Sequence, residues 1–473
     1  MSEPKTLFEK IWHNHVIRQF GGDRFLIHVD RHLVNEATSR FAFEGLKQRG
    51  LAPKCREATF GVIDHDLSTR PGRQWDSYEP AKERIGAMQE NCRAAGIELI
   101  DIHDARQGIV HVIAPEMGLT LPGSTIACGD SHTATSGGLG AWAWGVGTTE
   151  IERLLATQSL IVRKPKTMRV TFIGERHPGI SAKDLILYFI GQHGVTVGSG
   201  HAVEYAGPAI RALPVEGRFT ICNMSIEFGA RSGLIAPDDA AIEYLAGRAY
   251  APKGAMWDLA VADWRGLPSD EDARFDREIE IDCAAIKPQV TWGTSPQDVI
   301  AIDEPIPAPD GVASERREPM ARSLDYMGLQ PGMVLEGLPI DFAFIGSCTN
   351  SRLSDLEIAA GIVRGRKVPE GVTAIVVPGS TPVKRAAEEA GLDKVFTEAG
   401  FEWRESGCSM CQTLGGDMVP PGKRSISTTN RNFENRQGAK ARTHLASPAM
   451  VAAAAISGCI TDIRKLDIRK PGI

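Results

Sequence analysis

From the first residues to about Lys164, short apolar runs (FLIHVD, TFGVID, GIVHVI, STIACGD) alternate with helical stretches such as AKERIGAMQENCRAAG. That rhythm admits few architectures and predicts an α/β chain with a mostly parallel sheet flanked by helices. A second region, 165–285, opens with the strand-like TMRVTFIG and the helical ISAKDLILYFIGQHG. It then carries a polar stretch, APKGAMWDLAVADW, and a further strand, FDREIEIDCA. The third region, 286–473, starts around PQVTWGT and includes DEPIPAPDGVASERREP, which reads as an exposed connector. Thr381–Pro382 and Ser447–Pro448 mark helix entries, with proline at the first helical position. No internal repeat is visible. The reading is three α/β domains, 1–164, 165–285 and 286–473, the last carrying the cysteines discussed next.

Cys348 lies in GSCTNSR, and Cys408, sixty positions further on (408 − 348), lies with Cys411 in GCSMC. Free cysteine is often only a small buried hydrophobe, and a CxxC alone fits a zinc half-site or a redox pair equally well. Electron-carrying iron–sulfur clusters are normally closed by four cysteines. Three thiolates without a fourth nearby in sequence leave one iron open for Lewis-acid chemistry. DFAFIGS reads as a buried strand and LSDLEIAAGIV as a helix, so Cys348 is expected at a strand-to-helix turn, where open α/β sheets place ligands. Thr349, Asn350 and Ser351 are suited to hydrogen bonding around sulfur.

Composition points to an intracellular enzyme. Nine cysteines in 473 residues do not make a secreted disulfide framework. MSEPKTLFEKIW has no apolar signal core, and no run approaches a bilayer span, so neither export nor membrane insertion is expected. The net charge of −6 and the lack of a dense basic tract argue against a nucleic-acid surface.

Asp64–His65, His111 and Asp130–Ser131–His132 stand at or near predicted strand ends. Asn223 and Glu227, four apart, would face the same way on a helix. A lone histidine is more often a hydrogen-bonded core residue than a catalyst. Histidine–carboxylate pairs, however, fix the imidazole tautomer and raise its basicity, as acid–base work requires. Asn430–Arg431 and Arg436, in TTNRNFENRQG, offer planar guanidinium forks suited to a carboxylate, or else form a solvated surface loop.

Taken together, DRHLV, MGLTLPGSTIACGDSHTAT, GVGTTE, EGRFTICNMSIEFGA, PQVTWGT, FIGSCTNSR, GCSMC, NRNFENRQG and THLASP span the whole chain. On these motifs it resembles the aconitase superfamily and, within it, the large subunits of 3-isopropylmalate dehydratases. The resemblance implies a three-domain aconitase-type core of parallel and mixed sheets flanked by helices, lacking the swivelling fourth domain. It implies one [4Fe–4S] cluster per subunit, held by Cys348, Cys408 and Cys411. The acid–base groups would be Asp64–His65, Asp130–His111 and Glu227–His132. Ser131, Asn223 and Asn430 would contact substrate, Asn350 would lie near the cluster, and Arg431 and Arg436 would hold substrate carboxylate. The implied reaction moves a hydroxyl between adjacent carbons, 2-isopropylmalate to 3-isopropylmalate through 2-isopropylmaleate, in the cytoplasmic synthesis of leucine.

A separate small subunit is the expected partner, supplying the missing domain, its serine base and further arginines; no nucleic acid or membrane is expected. Two positions depart from the family pattern. Asn35, in DRHLVNEATS, stands where histidine is usual, and Asn435 replaces a glycine. Asparagine tolerates positive φ, so the Asn435 loop is expected to survive. Asn35 is read as a tolerated polar exchange. The alternative is a related dicarboxylate of the citraconate/citramalate, dimethylmalate or homoaconitate type. A cluster-dependent RNA-binding regulator is the remaining reading.

Overall fold

Strands Arg31–Asn35 (β1), Thr59–Val62 (β2), Glu98–Ile100 (β3), Thr125–Cys128 (β4) and Trp142–Gly145 (β5) form a parallel sheet in the order β3-β2-β1-β4-β5. Every residue of β2 and β4 is buried, which is why these strands read as continuous apolar runs rather than alternating ones. A second parallel sheet holds Lys166–Ile173 (β6), His201–Ala206 (β7), Ser232–Ile235 (β8) and Arg277–Asp282 (β9), in the order β8-β7-β6-β9. The third holds Phe342–Ile345 (β10), Thr373–Val376 (β11), Phe401–Trp403 (β12), Arg424–Ser427 (β13) and Arg442–Leu445 (β14), in the order β12-β11-β10-β13-β14. All three sheets grow outwards from a central first strand, a shared topology that no sequence repeat announces.

The computed structural model describes residues 3–466. By compactness it falls into two units. The first comprises Met1–Asp66, Glu79–Glu175 and Thr196–Asp282, with the first two sheets; the second comprises Leu67–Tyr78, Arg176–Val195 and Cys283–Ile473, with the third. Among the described residues no helix is long and apolar enough to cross a membrane.

Four sequence expectations change. FLIHVD falls on Arg24–His28, the middle strand of a small antiparallel sheet with Val16–Gln19, which is largely exposed, and Ser159–Arg163, which alternates between buried and exposed residues. GIVHVI is not a strand: Val110–Met117 is a helix buried on all sides, so its residues show no amphipathic period. The polar stretch before Trp264 is a helix, Ala255–Trp264. The supposed connector ends at Ala313, because the good helix formers Glu315, Arg316 and Arg317 open the helix Ser314–Met327. A smaller shift concerns Pro382, which takes the second helical position behind the capping Ser380, whereas Pro448 takes the first.

Two histidines make the fold acid-sensitive. Among the described residues, His32 on β1 has no partner for either ring nitrogen, and burial pushes its pKa down to about 3. His444 on β14 is also held near 3, by burial and then by Arg424, whose guanidinium donates to Nε2 at 2.8 Å. The folded protein therefore keeps both rings neutral at pH values where the unfolded chain, titrating near 6.5, binds protons. Stability is fully present above that pH and is lost on acidification towards 3, by about 1.4 kcal/mol per pH unit for each ring. His32→Leu is expected to lose less in thermal midpoint than the parent between pH 7 and pH 5. Equal losses would show that His32 does not set the acid limit.

Candidate active site

In the first unit, β1 and β4 are neighbours at the point where strand order reverses, the position at which open α/β sheets bind ligands. Beyond the carboxyl ends of β2 and β4 the chain places Asp64–His65 and Asp130–Ser131–His132. The helix Val110–Met117 adds His111. Asp64 is fully buried. Its Oδ1 meets His65 Nδ1 at 2.6 Å and its Oδ2 accepts the Val110 N–H at 2.8 Å, so one carboxylate orients one imidazole and starts the helix of another.

Three histidines converge on Asp130. His65 Nε2 stands 2.9 Å and His111 Nε2 3.4 Å from Oδ2, and His132 Nδ1 lies 3.3 Å from Oδ1. Burial alone would raise the Asp130 carboxyl, but His111, His132 and His65 outweigh it and hold the group well below the usual carboxylate range. Both ring nitrogens of His65 face carboxylate oxygens, an arrangement suited to an imidazolium. The expected pairs are thus present, embedded in a larger network, since His65 and His132 also reach Asp130.

His132 Nε2 reaches Glu227 Oε1 at 2.8 Å. Asn223 ends the helix Val215–Asn223, after which Met224–Phe228 tightens into a 3₁₀ turn. Four residues of 3₁₀ winding are one and a third turns, so Asn223 and Glu227 do not share a helix face as expected. Each instead reaches a different residue of the 3₁₀ segment Ser131–Leu139; Asn223 Nδ2 donates to Thr135 Oγ1 at 2.8 Å. That segment packs closely on β8 because Gly137 lacks a Cβ, which would lie 1.7 Å from the Gly233 carbonyl oxygen. Ser131 is half-buried and lines an open cleft of about 820 Å³ together with Arg163, Lys166, His201 and Arg231. Asn35 acts as a helix cap, its Oδ1 accepting from Thr38 N and Oγ1 at 3.2 and 2.8 Å.

In the second unit the same sheet logic places the thiols. Cys348 follows β10 at a sharp turn, with Ser347 in the left-handed region at φ +78°, before the helix Leu353–Val363. Arg352, 1% exposed, donates to the Cys348 carbonyl at 3.1 Å, while Asp355 accepts from Arg352 N and Asn350 Nδ2. Cys408 and Cys411 flank another left-handed serine, Ser409 at φ +47°. Its hydroxyl donates to Asp417 Oδ2 at 2.9 Å, as does Thr69 Oγ1 at 2.6 Å.

Asn430 follows β13 and joins two of the thiols. Its Nδ2 donates to Cys348 Sγ at 3.6 Å, and its Oδ1 accepts from Cys411 Sγ at 3.9 Å. Arg436 Nη2 donates to Cys411 Sγ at 3.6 Å, and its guanidinium lies 5.2 Å from the Phe433 ring centre. Arg431 is half-buried beside Asn430. Asn435 adopts φ +67° and its Oδ1 accepts from Lys440 N at 2.8 Å, so the loop keeps the conformation expected of it. None of the three cysteines is in a disulfide, and they are buried at 6%, 6% and 5% exposure. Buried thiols with N–H donors on sulfur are a donor set that fits an iron–sulfur cluster.

Sequence reasoning missed Glu36, Asp417 and Lys183, whose partners are far away in the chain. Lys183 is fully buried and its ammonium donates to the carbonyls of Thr428 and Thr429 at 2.9 and 2.6 Å, holding the turn that presents Asn430. Lys183→Met leaves two buried carbonyls without that donor and is expected to cost about 1–3 kcal/mol. Lower urea resistance should accompany it; unchanged resistance would show that the ammonium does not hold the turn.

The family described as "Aconitase family (aconitate hydratase)" matches residues 9–458. The chain is 55% identical, over 464 residues, to 3-isopropylmalate dehydratase large subunit 1 of Bradyrhizobium diazoefficiens, covering 98% of this chain and 97% of that one. Among solved structures, the holo form of Thermococcus kodakaraensis aconitase X aligns with 90% of this chain and 89% of its own. The TM-score there is 0.48 at 11% identity, too distant to add to the family match.

Proposed function

The chain belongs to the aconitase family, and on that footing we propose that it is the large subunit of a 3-isopropylmalate dehydratase. The reaction converts 2-isopropylmalate to 3-isopropylmalate by dehydration and rehydration. The observation that carries this reading is the histidine network on Asp130, found in a chain 55% identical to a dehydratase large subunit.

Hydroxide is a poor leaving group, so the departing oxygen needs a proton. His65, set between the carboxylates of Asp64 and Asp130, is suited to deliver it and to recover it on rehydration. His111 keeps Asp130 anionic, and Glu227 orients His132. Ser131, Asn223 and Asn430 are assigned to polar contacts with the substrate. Arg431 and Arg436 are assigned to a carboxylate next to the carbon that loses its proton, where cationic neighbours stabilise developing negative charge. Cys348, Cys408 and Cys411 would hold one [4Fe–4S] cluster, which when bound supplies a Lewis-acidic iron for the substrate hydroxyl.

We assign the base and the remaining substrate arginines to a separate small subunit, without which turnover should be slight. Nine cysteines, none of them in a disulfide among the described residues, suit a reducing, cytoplasmic setting. The three parallel sheets are read as three domains, with boundaries near 164 and 285. The test is anaerobic co-purification with the small subunit, followed by ultraviolet absorbance of the alkene formed from 2-isopropylmalate, citrate, citramalate or 2,3-dimethylmalate. Turnover of 2-isopropylmalate is expected; preference for another acid would keep the chemistry and move the substrate, and one zinc in place of about four irons per chain would end the cluster assignment.

A further inference from the structure

Glu36 is the first residue of the helix Glu36–Gln48, directly after β1, and is 1% exposed. None of the acid–base roles above uses it. Its carboxylate nevertheless accepts the backbone N–H groups of three successive residues. His65 N reaches Oε1 at 2.7 Å, Asp66 N reaches Oε1 at 2.6 Å, and Asp64 N reaches Oε2 at 3.2 Å. Convergent N–H groups at a turn make a concavity that normally receives an anionic ligand. Here a side chain of the same unit fills it. The neighbouring Asp66 carboxylate is occupied elsewhere, by Arg84, whose Nη2 donates to Oδ1 at 2.9 Å.

We propose that Glu36 is the positioning residue of the acid–base network: its carboxylate clamps the 64–66 turn and so sets where His65 stands between Asp64 and Asp130. His65 is held at 2.6 Å on one side and 2.9 Å on the other, so a small rotation of the turn lengthens at least one contact. Misplacing a catalytic group by about 1 Å can cost about 100-fold in rate. The clamp also has its own pH limit. Burial, Asp64 and Asp66 push the Glu36 carboxyl up to about 7, against the pull of His65 and the Asp66 N–H. As pH falls through that value the carboxyl gains a proton, loses its charge in front of three donors, and releases the turn. The kinetic part of this inference rests on the dehydratase reading; the structural part does not.

The test compares Glu36→Gln and the shorter Glu36→Asp with the parent, each as the full chain loaded with iron and sulfide and joined to the small subunit. Glu36→Gln is expected to keep its iron content and to exchange the amide hydrogens of residues 64–66 at least about tenfold faster. Peptides elsewhere in the first unit should exchange as in the parent. With whichever acid the parent turns over, kcat should fall about 10- to 100-fold at unchanged KM, and the rate should lose its dependence on pH near 7. Glu36→Asp should fall between the two. Parent-like exchange at 64–66, or a rise spread evenly over the whole unit, would overturn the proposal. If the parent turned over no acid, the dehydratase reading would fail while the exchange result still judged the clamp.

Discussion

Cys411→Ser, purified anaerobically with the small subunit, should contain little iron and sulfide and should lose at least about 100-fold in turnover. The argument is one of ligand chemistry. A serine hydroxyl stays protonated near neutral pH and is a hard donor, whereas cluster iron takes soft thiolates. Cys411 Sγ also donates to Asn430 Oδ1 and accepts from Arg436 Nη2, so its loss disturbs both contacts. A Lewis acid contributes several kcal/mol to departure of the hydroxyl, and about 1.4 kcal/mol is a factor of ten in rate. Iron analysis and the alkene absorbance read the two effects separately. Full activity in this variant would make the cluster assignment wrong.

His111→Ala should behave in the opposite way, with iron and sulfide at parent levels and turnover reduced by about 10²- to 10⁴-fold. His111 is 1% exposed and 3.4 Å from Asp130, far in sequence from the three cysteines. Removing it takes away the histidine that contributes most to outweighing the burial of Asp130. The Asp130 carboxyl then rises, so the acid limb of the rate should move to higher pH. Parent-like turnover, or loss of iron along with activity, would contradict an acid–base role.

Several parts of this arrangement were legible without a structure because they depend on local pattern. Strand-like apolar runs such as TFGVI and FAFI predicted parallel strands, and the chemistry-bearing residues just after them predicted where a site would lie. The helix around His111 was not legible. Residues 109–114 are apolar apart from His111, and such a run is as compatible with a buried strand as with a buried helix. The choice is made by Asp64, 46 positions earlier, whose carboxylate accepts the Val110 N–H and caps the helix start. The turn from α-helix to 3₁₀ at Met224 was equally hidden, and it separates the faces of Asn223 and Glu227.

By itself the sequence determined the α/β class, the placement of chemistry-bearing residues after strand ends, the three thiols and the histidine–carboxylate inventory, because strand periodicity and side-chain chemistry are properties of short segments. Tertiary structure alone decided that three histidines share Asp130, that Asn430 joins Cys348 and Cys411, and that Glu36 and Lys183 hold turns 28 to 246 positions away. Those contacts depend on which strands become neighbours. Sheet order is chosen by burial summed over whole layers, and that sum leaves no mark at any one residue.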